Sequence, residues 1–85
     1  MRFFKRNEKV EGANIIKVFE GSITDKYLYV RLFVCDDKGV NTTLLRRIPN
    51  TQKDIDVALI APEEYTELTL QECKEFLLES VDHLL

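Results

Sequence analysis

Apolar and polar residues alternate through the middle of the chain in the way that is typical of β-strands. Residues 27–35 (YLYVRLFVC) have an aliphatic residue at every even position: Leu28, Val30, Leu32 and Val34. Successive side chains of a strand point to opposite faces, so these four share one face, which we expect to meet the core. Residues 13–20 (ANIIKVFE) are rich in β-branched and aromatic residues and end at a Gly-Ser pair, which predicts another strand.

A hairpin is predicted where residues 36–39 (DDKG) interrupt the apolar pattern. Asp at the first position and Gly at the fourth suit a type I turn followed by a bulge. A hairpin that closes on Asp36 and Val40 would pair Leu32 with Leu44, so that aliphatic side chains face each other across the strands. It would also place Leu28 opposite Ile48. The second arm of the hairpin is therefore predicted over about residues 40–48.

The remaining segments before the C-terminal region have weaker patterns. Residues 2–6 (RFFKR) are predicted as a short edge strand, or else as part of a flexible arm that spans residues 1–12. Residues 49–54 (PNTQKD) are polar and are predicted to form a connection. Residues 56–61 (DVALIA) are expected to form a short strand that Pro62 stops. Residues 63–68 are expected to be irregular.

The last part of the chain has the pattern of an amphipathic helix. Thr69 is a suitable N-cap, and Glu72 three residues later completes a capping box. The apolar residues that follow cover an arc of about 200° around the helix, whereas docking on one sheet needs a stripe of about 100°. The extra width predicts a second apolar contact, either a groove or another subunit.

Together these patterns predict an α+β fold in a single domain over residues 1–85. The expected architecture is an antiparallel sheet of four to five strands, built on a β-meander or hairpin core. One C-terminal amphipathic helix is expected to pack on one face of this sheet. A domain of 85 residues buries only about 60–65% of its unfolded surface. Such a thin core favours a homodimer or an obligate protein partner.

The formal net charge of −3 hides an uneven distribution along the chain. Residues 1–60 carry eleven basic and eight acidic side chains, whereas residues 61–85 carry one basic and seven acidic side chains. The acidic side chains of the second segment form an acidic rim: Glu63, Glu64, Glu67, Glu72, Glu75, Glu79 and Asp82. A rim of this kind can steer a basic partner or imitate a nucleic-acid backbone.

The residues that usually carry catalysis do not form a recognisable constellation in this sequence. The single histidine, His83, follows acidic residues at the end of the predicted helix, where it favours the helix C-terminus. Cys35 and Cys73 lack the spacing of a zinc site or a redox pair and are expected to be small buried residues. No phosphate-binding glycine motif is present. We therefore expect no enzyme activity, no cofactor and no metal.

The same sequence features favour a cytoplasmic protein. The first residues contain no long apolar segment typical of a secretory leader. No stretch approaches the length of about 18 apolar residues that would suggest a membrane-spanning helix. Reduced cysteines in the cytoplasm are the expectation that follows, with no membrane contact.

Two surfaces are candidates for binding. The leading hypothesis is a small protein-interaction or regulatory module, a homodimer or partner-bound, whose contact lies on the C-terminal helix at Phe76, Leu78, Leu85, Glu72, Glu75 and Glu79. The alternative is weak binding of single-stranded nucleic acid by an aromatic and arginine-bearing sheet face: Tyr27, Tyr29, Arg31, Phe33 and Arg47. The acidic net charge opposes tight nucleic-acid binding. A second alternative is an acidic inhibitor of a nucleic-acid enzyme.

Overall fold

The computed structural model describes residues 1–82, with side chains described as far as Leu77. The strands are β1 (Arg2–Arg6), β2 (Asn14–Glu20), β3 (Tyr27–Asp36), β4 (Gly39–Pro49) and β5 (Tyr65–Leu68). The helices are α1 (Gln52–Leu59) and α2 (Leu70–Asp82), and a single 3₁₀ turn spans Pro62–Glu64. The strands form one antiparallel sheet in the order β4-β3-β2-β1-β5.

The predicted α+β class, antiparallel sheet and C-terminal helix are confirmed. The expectation of one helix is wrong, because α1 precedes β5. The strand predicted for residues 2–6 is present with those bounds, but its predicted position at the edge of the sheet is wrong. β1 lies inside the sheet, between β2 and β5.

Helix α1 replaces the polar connection and the short strand that were predicted for residues 49–61. The Thr51 side chain accepts a hydrogen bond from the Asp54 N–H at 3.1 Å and so caps the helix N-terminus. Ile55, Ala58 and Leu59 then follow at positions i, i+3 and i+4 and are all buried. This spacing is helical, whereas a strand would have buried alternate residues.

Strand β5 replaces the irregular segment that was predicted for residues 63–68. It pairs with β1 from Phe3 opposite Leu68 to Arg6 opposite Tyr65. A four-residue strand contains too few positions for a clear alternating pattern, and its pairing partner lies about sixty residues away in the sequence.

The β3–β4 hairpin is shorter at its turn than predicted. Asp36 pairs with Gly39 rather than with Val40, and Leu32 pairs with Thr43 rather than with Leu44. The Asp36 carboxylate accepts hydrogen bonds from the Lys38 N–H at 2.8 Å and the Gly39 N–H at 3.1 Å, which hold this tight turn. An irregularity in the ladder beside Val30 and Arg31 then restores the predicted pairing of Leu28 with Ile48.

Two buried clusters lie on opposite faces of the sheet. The first contains residues of α1 and of the sheet face that carries Phe19: Phe4, Phe19, Leu28, Val30, Ile48, Ile55, Ala58 and Leu59. The second contains Cys73 of α2 and three residues of the other sheet face: Ile16, Val18 and Cys35. Neighbouring residues of β2, such as Val18 and Phe19, therefore belong to different clusters. The predicted aliphatic face is buried at Leu28 and Val30 but only half-buried at Leu32 and Val34.

Candidate functional site

Several large apolar side chains are exposed together on β3 and β4, the two strands at one edge of the sheet. Tyr27, Tyr29 and Leu44 are 47%, 48% and 51% exposed, and Leu45 beside them is similarly open. The strand register places Tyr29 opposite Arg47 and Arg31 opposite Leu44, so these side chains share the sheet face that also carries the Cys73 cluster. We call Tyr27, Tyr29, Leu44, Leu45 and Arg47 the β3–β4 corner.

The β3–β4 corner includes one positively charged side chain, that of Arg47. The Arg47 guanidinium lies over the Tyr27 ring, 4.4 Å from its centroid, which is a cation–π arrangement. Arg47 itself is exposed. The corner therefore offers a partner two tyrosine rings, two leucine side chains and one positive charge on a rigid strand pair.

The sequence predicted five residues for an aromatic and arginine-bearing face, and the structure leaves three of them exposed. Tyr27, Tyr29 and Arg47 lie in the β3–β4 corner. Arg31 is held by the Glu20 carboxylate at 2.6 Å and also donates to the Thr42 hydroxyl at 3.3 Å. Phe33 packs against the Cys73 cluster. Arg31 and Phe33 therefore serve the fold, because β2 and α2 supply partners that the local sequence does not reveal.

Strand β4 also has an open backbone edge. It is the terminal strand of the sheet, paired with β3 on one side, and no other strand within residues 1–82 pairs with its outer side. An open edge presents unpaired N–H and C=O groups and can accept another strand. Only the second half of this edge is interrupted. It contains two arginines, the irregularity in the pairing with β3, and Pro49.

The interface that was predicted on α2 is described only in part. The Phe76 ring is half-buried against the Cys73 cluster, with the Lys5 ammonium 5.1 Å from its centroid. The Glu72 carboxylate accepts the Thr69 N–H at 3.0 Å, and the Thr69 hydroxyl accepts the Glu72 N–H at 3.1 Å, so the predicted capping box is confirmed. The Glu75 carboxylate accepts a hydrogen bond from Gln71 at 3.2 Å.

The other predicted residues of this helix lie outside the described part of the structure. They are Leu85 and His83, together with the side chains of Leu78, Glu79 and Asp82. The α2 interface therefore stays a prediction.

Part of the acidic rim pairs with basic residues of the same chain. The Arg2 guanidinium meets the Glu67 carboxylate at 2.9 Å through two hydrogen bonds, and Arg6 meets Glu64 at 2.9 Å. The Arg2 hydrogen bond lowers the pKa of Glu67, and the same contact raises the pKa of Arg2. The basic front and the acidic tail of the chain thus meet at β1 and β5, which gives the acidic-inhibitor alternative less support.

Both cysteines are buried, as predicted. Burial raises the pKa of the Cys73 thiol, so its reactive thiolate form is disfavoured at neutral pH.

A buried lysine was not predicted. Lys17 is only 8% exposed, and its Nζ donates a hydrogen bond to the Ala58 carbonyl oxygen at 2.9 Å, near the C-terminus of α1. Burial lowers the pKa of Lys17, and repulsion from Arg46 and Arg6 lowers it further. Placing a cation at a helix C-terminus offsets part of this cost.

This lysine makes stability depend on pH. Its pKa in the folded protein lies below the ordinary value of 10.5, so the unfolded chain binds the proton more tightly. The free energy of unfolding should therefore rise as the pH increases through the lowered pKa toward the ordinary one. A Lys17→Met variant keeps the apolar stem and removes the titrating group. When unfolding in urea is measured between about pH 7 and pH 10, the free energy of unfolding should rise less with pH in the variant than in the wild type. An equal rise in both proteins would contradict a lowered pKa for Lys17 in the folded protein.

A cavity of about 760 Å³ opens between the β1–β2 loop and the β3–β4 turn. Its charged lining consists of three lysines and three carboxylates: Lys5, Lys9, Lys38, Glu11, Asp36 and Asp37. These charges balance, so the cavity has no electrostatic preference for one class of ligand.

Other site types were sought among the described residues. There, no group of three or more His, Cys, Asp or Glu side chains is positioned to hold a metal ion. Neither of the helices described here has the length and apolar character needed to cross a membrane. The β3–β4 corner is thus the candidate site with the clearest geometry. Comparisons with protein-family models, curated proteins and solved structures found no match to this chain.

Proposed function

We propose that this chain is a small non-enzymatic protein-interaction module that binds its partner through the β3–β4 corner. The observation that carries the proposal is the shared exposure of Tyr27, Tyr29 and Leu44 beside an open strand edge. Clustered exposed apolar side chains often mark binding sites. Tyrosine and arginine are also the residue types that contribute most at protein interfaces.

The packing of the sheet supports a binding role over a structural one. Phe19 and Ile16, on opposite faces of β2, each belong to a buried cluster, and neither cluster includes a residue of the corner. The corner side chains are therefore not needed to cover the core. They are held on two paired strands, so little backbone conformational entropy remains to be lost when a partner binds.

A double variant separates binding from folding. Tyr29→Ala with Arg47→Ala removes one exposed ring and the exposed cation of the corner. We expect its free energy of unfolding to stay within about 0.5 kcal/mol of the wild-type value, as is usual for surface substitutions. We expect affinity for a protein partner to fall at least tenfold, because the loss of hot-spot residues costs about 2 kcal/mol or more. Quantitative capture from the native host, followed by titration with the purified partner, measures this loss.

The controls for this variant lie on the two helices. Val57→Ala changes an exposed apolar residue on α1, and Glu75→Ala changes one of the predicted interface residues on α2. Both should retain partner binding. Loss of binding in the α2 variant alone would place the contact on that helix and contradict the corner proposal.

Binding of single-stranded nucleic acid is a second candidate for the same surface. It is favoured by the adjacent exposure of Tyr27 and Tyr29 with Arg47 over the Tyr27 ring, since bases stack on such rings. The test is fluorescence anisotropy with a labelled single-stranded oligonucleotide across a salt series. Nucleic-acid binding predicts a clear salt dependence and a loss of about 1–3 kcal/mol for Tyr29→Ala. The protein-interaction proposal predicts no saturable binding at physiological salt.

A further inference from the structure

Most arginines of this chain are paired with one of its own carboxylates. Three of the five form such pairs at 2.6–2.9 Å: Arg2 with Glu67, Arg6 with Glu64 and Arg31 with Glu20. Within the described residues, Arg46 and Arg47 form no ion pair. Arg46 lies opposite the buried Val30 and so belongs to the sheet face that α1 covers. Arg47 is therefore the unpaired arginine on the face of the β3–β4 corner.

The Arg47 side chain is positioned, but its hydrogen-bond donors are not used. Its guanidinium lies over the Tyr27 ring, 4.4 Å from the ring centroid. A guanidinium carries five N–H donors in a planar fork whose geometry matches the two oxygens of a carboxylate. In the part of the chain that the structure describes, no oxygen accepts a hydrogen bond from Arg47. These donors are therefore available to a partner.

The strand residues around Arg47 leave its positive charge uncompensated. Glu20, Tyr29 and Arg47 lie in one row across β2, β3 and β4. The Glu20 carboxylate is already engaged by Arg31 at 2.6 Å. This part of the sheet face therefore has two arginines and one carboxylate, with the exposed Tyr29 and Leu44 side chains beside them. A complementary surface has to combine a negative charge with apolar groups.

We infer that the β3–β4 corner binds a segment of another protein in which an Asp or Glu side chain is flanked by apolar residues. This inference rests on the proposed function and names the chemistry of the partner. The carboxylate of the segment accepts hydrogen bonds from the Arg47 guanidinium, an arrangement that is stronger than a neutral hydrogen bond. The flanking apolar residues pack on Tyr29 and Leu44. Covering these side chains also excludes water from the charge pair, which strengthens it.

A protein carboxylate suits the corner better than a nucleic-acid phosphate does. Proteins that bind single strands follow the phosphate backbone with a positively charged groove. The corner has one cation, Arg47, and the chain as a whole has a net charge of −3. Its two leucines, Leu44 and Leu45, offer aliphatic contacts, whereas bases stack on aromatic rings. One carboxylate with apolar neighbours matches this composition.

The test is selection from a random peptide library displayed on phage, with the purified chain as the target. The selected peptides should share an Asp or Glu next to apolar residues. Their dissociation constants should rise about tenfold or more on Arg47→Glu, because the change replaces an attractive charge pair with a repulsive one. A peptide in which Lys replaces the shared acidic residue should bind Arg47→Glu more tightly than it binds the wild type. Arg46→Glu is the matched control: it makes the same change of charge on the opposite sheet face and should weaken binding far less.

Three results would overturn the inference. Peptides that lose affinity on Tyr29→Ala but share no acidic residue would keep the corner as the binding site and remove only its acidic partner. A single-stranded oligonucleotide that displaces the selected peptides at physiological salt would identify phosphate, rather than carboxylate, as the anion that Arg47 binds. Peptides whose affinity is unchanged by Tyr29→Ala would bind outside the corner, and the proposed function would then fail together with the inference.

Discussion

Replacing Phe19 with alanine is expected to lower the free energy of unfolding by about 3–5 kcal/mol. The Phe19 side chain is 1% exposed and lies at the centre of the cluster between α1 and the sheet. Its ring meets the Phe4 ring edge to face, with the centroids 5.4 Å apart and the planes at 85°. Truncation would remove this ring contact and leave a cavity that a small domain cannot readily fill.

Urea denaturation followed by circular dichroism measures the effect. Ile23→Ala is a matched control, because Ile23 is 96% exposed and should change the free energy of unfolding by less than about 0.5 kcal/mol. Small domains are stable by only about 5–15 kcal/mol, so Phe19→Ala is expected to bring the chain close to unfolding at room temperature. A loss below about 1 kcal/mol would contradict the placement of Phe19 at the centre of this cluster.

Cys73→Asp is the second substitution that we expect to lower the free energy of unfolding strongly. Cys73 is 3% exposed and belongs to the cluster with Ile16, Val18 and Cys35. A Cys73→Asp carboxylate would be buried among these mainly apolar groups, away from water. The expected loss is about 3–5 kcal/mol, comparable with leaving an unpaired charge in a core.

Lys74→Asp is the control for this substitution. Lys74 is the next residue on the helix and is exposed, and the change alters the net charge by two rather than one. If Lys74→Asp lowers the free energy of unfolding less than Cys73→Asp does, burial rather than added negative charge is the cause. Equal decreases, measured by unfolding in denaturant, would show that α2 does not bury Cys73 against the sheet.

The sequence predicted those elements whose signals are local. Strands β2 to β4 have clear strand patterns, and the Thr69–Glu72 capping box correctly marks the start of α2. Helix α1 was missed because Val57 and Ile60 are exposed apolar residues that make the segment resemble a buried strand. β5 was missed because its stability comes from pairing with β1 rather than from its own four residues.

The candidate site was predictable to a similar extent. Period-two alternation placed Tyr27 and Tyr29 on one face, and the observed strand pairing brings Arg47 opposite Tyr29 on that face. The roles of Arg31 and Phe33 depend on Glu20 and on α2, which only the folded chain brings near them. Lys17 could not be identified as buried, because the helix whose carbonyl it binds was predicted as a strand.

Site-specific photo-cross-linking tests the central claim most directly, since it reports which surface touches another protein. Benzoylphenylalanine would replace Tyr29 in the β3–β4 corner and, in a separate protein, Gln71 on the exposed side of α2. After irradiation in the native host, the Tyr29 position should give discrete protein adducts, either with a second copy or with another chain, and the Gln71 position should give none. Adducts from the Gln71 position alone would contradict the account and place the binding surface on α2.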